Sequence, residues 1–129
     1  MRIVMPSNRE QALSAVRPGD VVLGVGAGGQ DKLLLVYAVD KNGIRARHVT
    51  TQTTFEFHRD GRTGPLDGGG HCAIVSIARL PPEQHEIVIG LDRKMRMGRE
   101  HPDFVLSKAE IEFLLTYDRF FKTHPLPDN

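Results

Sequence analysis

The chain has 129 residues, of which 40% are hydrophobic and 26% charged, the size and composition of a single folded domain rather than a disordered chain or two independent cores. A net charge of +1 points by itself to no polyanionic partner, and one cysteine, Cys72, excludes an internal disulfide. The longest apolar run, Leu33 to Val39, falls far short of the ~20 residues that span a bilayer, and no signal-peptide core stands at the N-terminus. We therefore expect a cytoplasmic protein with no membrane partner.

Ser7 followed by Glu10 matches a capping box and predicts a short helix from about Asn8 to Val16. Arg17-Pro-Gly-Asp20 reads as a tight turn, because proline presets one φ and glycine tolerates a positive one. Strands are predicted at Val21–Val25 and Lys32–Val39, joined by the glycine-rich stretch 26–29. Lys41-Asn-Gly43 predicts a type I′ hairpin into a strand from Ile44 to about Val49. Residues 50–58 alternate, with Thr51, Thr53, Phe55 and Phe57 on one face. Turns at 59–62 and 67–70 lead to a last strand, Cys72 to Ala78.

Five strands joined mostly by short turns must curl or close, since a flat sheet leaves edges and one face uncovered. The fold class expected is α+β: a small curled antiparallel sheet, or partly open SH3-like barrel, over residues 17–80, with a helical extension over 81–129. Val16 to Val22 resembles the opening turn of SH3-like barrels over seven residues. In the extension, Pro81-Pro82-Glu83 reads as a helix start, and Ile87, Val88, Leu91 and Met95 recur at helical spacing. Gly90 argues against that helix, and a strand at 86–91 is the alternative. Ser107 and Glu110 form a second capping box, opening a helix whose stripe is Phe113, Leu114, Tyr117, Phe120 and Phe121, widened by Ile111 and Leu115.

Several patterns point to chemistry. Gly24-Val-Gly-Ala-Gly-Gly29 satisfies G-x-G-x-x-G, but a dinucleotide site needs a helix next, and here an apolar strand follows. His71 and Cys72 are adjacent, so on a strand they face opposite ways and make a poor base–nucleophile pair. The six histidines show no metal-ligand spacing, and pairs such as His58 with Asp60 or His85 with Glu86 arise by chance. No catalytic residue, metal or cofactor is expected.

Residues 41–70 hold five Lys/Arg against three Asp/Glu, and Arg45 and Arg47 share a strand face. With Arg93, Lys94, Arg96 and Arg99 they would form a polyanion-binding footprint, the nucleic-acid alternative, though a pI of about 8.0 is low for a dedicated binder. The aromatic stripe gives the leading expectation. It either covers the open end of the sheet or builds an interface from Phe113, Tyr117, Phe120 and Phe121, making a self-associating, non-enzymatic interaction module. A small enzyme or ligand-binding domain using Gly24–Gly29 with His71 and Cys72 is a further alternative.

Overall fold

The computed structural model describes residues 6–63 and 71–127, so the turn expected at 67–70 lies outside the described residues. Helix α1 runs Asn8–Leu13, and the Ser7 side chain accepts from the Glu10 N–H at 3.1 Å as its cap. Strands β1 (Val21–Gly26), β2 (Asp31–Asp40), β3 (Gly43–His48), β4 (Thr54–Phe57) and β5 (Cys72–Ser76) follow. They form one antiparallel sheet in the order β4-β3-β2-β1-β5. Helices α2 (Pro82–Met97) and α3 (Lys108–Lys122) complete an α+β half-barrel. None of the described helices is long and apolar enough to cross a membrane.

Register shifts between Leu23 and Gly24 and between Val36 and Ala38 bend the sheet, because an extra residue in one strand adds local twist. The curl gives two apolar faces. The concave face carries Val22, Leu34, Val36, Ile44, Ala46, Phe57, Cys72 and Ile74, closed at one end by Leu13 of α1 and by Val16. The convex face carries Val21, Leu23, Leu33, Leu35 and Val49 beneath α2 and α3. Burial on both faces explains why Leu33–Val36 is apolar without alternation.

The turn after β4 narrows the remaining gap. Arg62 bridges Ala73, the Ile74 N–H donates to the Gly61 carbonyl at 2.8 Å, and the His58 N–H donates to the Arg62 carbonyl at 2.9 Å. Arg9 locks this turn onto α1: it is buried, and its guanidinium donates to the Asp60 and Ile74 carbonyls. Gly61 has φ +77°, and a Cβ there would come within 2.8 Å of Leu13 Cδ1.

Two expectations change, and the choice left open over 86–91 resolves to the expected helix. The hairpin at 41–43 forms, but neither Lys41 nor Asn42 has a positive φ, so it is not type I′. Instead Asp40 Oδ1 accepts from the Asn42 and Gly43 amides at 2.8 and 3.2 Å, an Asx-type turn. Gly43 is needed for space, since a Cβ would lie 1.9 Å from the Phe57 carbonyl oxygen. The strand expected over 50–58 shortens to Thr54–Phe57, because Gln52 at φ +63° turns the chain. Residues 86–91 are helical: they lie within α2, whose Val88 and Leu91 are buried on the convex face.

Candidate functional site

The basic residues expected to form a footprint are for the most part already engaged by carboxylates. Arg47 reaches from β3 to α2 and donates twice to Asp92, Nε to Oδ1 at 2.9 Å and Nη2 to Oδ2 at 2.8 Å. Arg96, one turn along α2, donates to Asp92 Oδ2, and Gln52 Nε2 donates to Oδ1 at 3.0 Å. Asp92 is buried, and burial alone would push its carboxyl up, but the hydrogen bonds from Arg47, Gln52 and Arg96 outweigh that and hold it at about 2. The same carboxylate raises the pKa of Arg47, whose guanidinium also lies 5.6 Å from the Tyr37 ring centroid. Lys94 bonds to Glu110 Oε1 at 2.5 Å and to the Val105 carbonyl at 2.8 Å, tying α2 to the start of α3. Arg45 lies 3.9 Å from both Asp40 and Glu56 on the surface. Arg93 and Arg99 are exposed and carry no ion pair among the described residues. Much of the cluster thus serves to fasten α2 to the sheet and to α3.

The aromatic stripe of α3 also turns inward. Phe121 and Phe113 are buried against the convex face, with Tyr117 and Phe120 partly buried beside them. Tyr117 stacks on Phe113 at 5.8 Å, and burial raises its hydroxyl to about 12, aided by Asp31 and Asp118. Phe113 and Phe121 are thus core of the chain itself, while Tyr117 and Phe120 keep part of their surface outward. The side that remains outward carries Ile111, 46% exposed, and Leu115, 72% exposed, one turn apart, and Val105 just before the helix is 67% exposed.

The glycine-rich stretch is a hairpin connection, with the Gly26 N–H donating to the Gln30 carbonyl and the Gly29 N–H to the Gly26 carbonyl, both at 2.9 Å. No helix follows it, so the context for a dinucleotide site is lacking. His71 is exposed while Cys72 is buried, and desolvation pushes the thiol pKa up despite the nearby Lys32. A thiol held neutral and inside is a poor nucleophile. His58 and Asp60 share a turn with no bond between their side chains; His85 and Glu86 line a cleft of about 320 Å³ with Asp20 and Arg79, likewise unlinked. Among the described residues no group of His, Cys, Asp and Glu is arranged to hold a metal.

Strand register assembles a second cluster that sequence spacing did not reveal. Lys32 lies two residues before Leu34, and His48 two after Ala46, so both join Phe55 and Cys72 on the concave face. They occupy the end opposite α1. The Lys32 alkyl chain lies across Gly26, where a Cβ would stand 2.9 Å from Cε, and its ammonium sits 5.7 Å from the Phe55 ring centroid. Gly24 is equally constrained, with Leu34 Cδ1 at 2.7 Å from a Cβ there. Both ring nitrogens of His48 are hydrogen-bonded to threonine hydroxyls, Nδ1 to Thr51 at 3.0 Å and Nε2 to Thr50 at 3.1 Å. Burial first, and Lys32 second, lower His48 to about 4, so the ring is neutral near pH 7.

No family model, curated protein or solved structure matches this chain. Fold and side chains define it as an α+β half-barrel with an apolar outward strip on its last helix and a polar mouth on its concave face.

Proposed function

We propose that this protein is a non-enzymatic interaction module that self-associates through its C-terminal helix. The surface is the outward strip of Ile111 and Leu115 with Val105 at its edge, in place of Phe113 and Phe121, which the core occupies. One observation carries this reading: a leucine 72% exposed sits one turn from an isoleucine 46% exposed, on a helix whose other side already seals the core. Large aliphatic side chains left together at a surface mark contact sites. Two residues one helical turn apart can interdigitate with the same pair from a second copy, which gives the self-complementary patch a two-fold dimer requires.

The test is light scattering from low to high micromolar protein, on the native chain and on Leu115→Glu. A concentration-dependent dimer is expected, and the glutamate raises its dissociation constant at least about tenfold by burying a charge. Because Leu115 lies outside the core, this variant keeps the native circular dichroism spectrum, whereas Phe113→Glu would unfold α3. A chain that stays monomeric at high micromolar concentration contradicts the proposal.

A further inference from the structure

We propose that the open end of the half-barrel binds a small oxyanion, with the Lys32 ammonium as its counter-charge and Phe55 and Gly26 beside it. The reason is a missing charge. Arg47 and Lys94, the other half-buried cations among the described residues, are matched by Asp92 and Glu110. The buried Arg9 is met by two carbonyls. Lys32 is half-buried and has no carboxylate or hydrogen-bond partner among the described residues, only the face of Phe55. Its stem packs across Gly26 while its charged head is matched only by the face of one ring, so an oxyanion at the mouth is the partner its environment lacks.

The neighbours favour an anion as well. His48 is hydrogen-bonded through both ring nitrogens to threonine hydroxyls, and it adds no negative charge. Cys72 is a buried thiol whose pKa is raised, and glycine at 26 keeps a Cβ out of the space that Lys32 crosses. Carboxylate and phosphate groups share the chemistry this site would recognise: a compact anionic oxygen cluster accepting from an ammonium. This inference does not depend on the outward strip of α3, which lies on the other side of the sheet.

The experiment titrates the native protein with orthophosphate and, separately, with benzoate at pH 7 and constant ionic strength, following ring and amide resonances by NMR. Saturable shifts are expected at Lys32, His48 and Phe55, and the His48 titration midpoint should rise from about 4 because a bound anion offsets Lys32. Saturation by orthophosphate alone assigns a phosphoryl group, and by benzoate alone the carboxylate of a ring compound. Lys32→Met should weaken binding about tenfold or more, while Lys32→Arg retains most of it. The proposal is overturned if neither anion gives saturable shifts at these residues in the native protein, or if Lys32→Met binds as tightly as the native chain.

Discussion

Asp92 shows how one buried group sets the behaviour of several others. Its two oxygens take four hydrogen bonds from Arg47, Gln52 and Arg96, which is why an aspartate can stand on the buried side of α2. A carboxyl held at about 2 in the folded chain, against 3.8 ordinarily, stabilises the fold while it is ionised in both states. That contribution is fully present above about pH 4 and is lost as pH falls through about 2. Acid unfolding should therefore steepen over this interval, by about 2 kcal/mol in total. Asp92→Asn should flatten that limb while lowering stability at pH 7 by about 3 kcal/mol, because Arg47 is left without its counter-charge. Urea unfolding at pH 7 and at pH 3 checks both arms; equal pH slopes in the two proteins would show that Asp92 does not carry the effect.

The elements explain two glycines that look alike in sequence and differ in consequence. Gly90 lies within α2, where glycine costs about 1 kcal/mol relative to alanine. A Cβ there would meet only Glu110 Oε2, at the ordinary contact distance of 3.6 Å. Gly90→Ala should accordingly stabilise the protein by about 0.5–1 kcal/mol, read as a higher urea midpoint at unchanged slope. Gly43→Ala should do the reverse, costing about 3 kcal/mol or more, because its Cβ would overlap the Phe57 carbonyl and part β3 from β4. Helix α3 shows a related contrast. Its capping box is local and stands complete, Ser107 and Glu110 each bonding the other's backbone amide. Which of its apolar residues face inward depends on where the sheet lies, so Phe113 and Leu115 are equally apolar in sequence and end on opposite sides.

At the scale of the molecule, the α+β class, the five strands and the second capping box were legible because each rests on neighbours in sequence: alternation, turn residues, helix caps. The candidate sites were much less so. Asp92 and Arg47 are 45 residues apart, and only β3 lying beneath α2 makes their charges a fastening rather than a solvated face. Lys32 opens an apolar run and reads as its polar edge; its place beside His48 and Phe55 follows from strand register, which spacing does not specify. Arg9 gave no signal beyond its place in a short helix, because its acceptors are carbonyls 51 and 65 residues away. The outward strip was visible as excess apolar residues on α3, but its members changed once the core had taken Phe113 and Phe121. The most direct measurement of self-association is an amide chemical-shift map recorded across a dilution series. Shifts concentrated at Val105, Ile111, Leu115 and their neighbours, absent in Leu115→Glu, are expected. A spectrum that does not change with concentration, with the tumbling time of a monomer throughout, would contradict it.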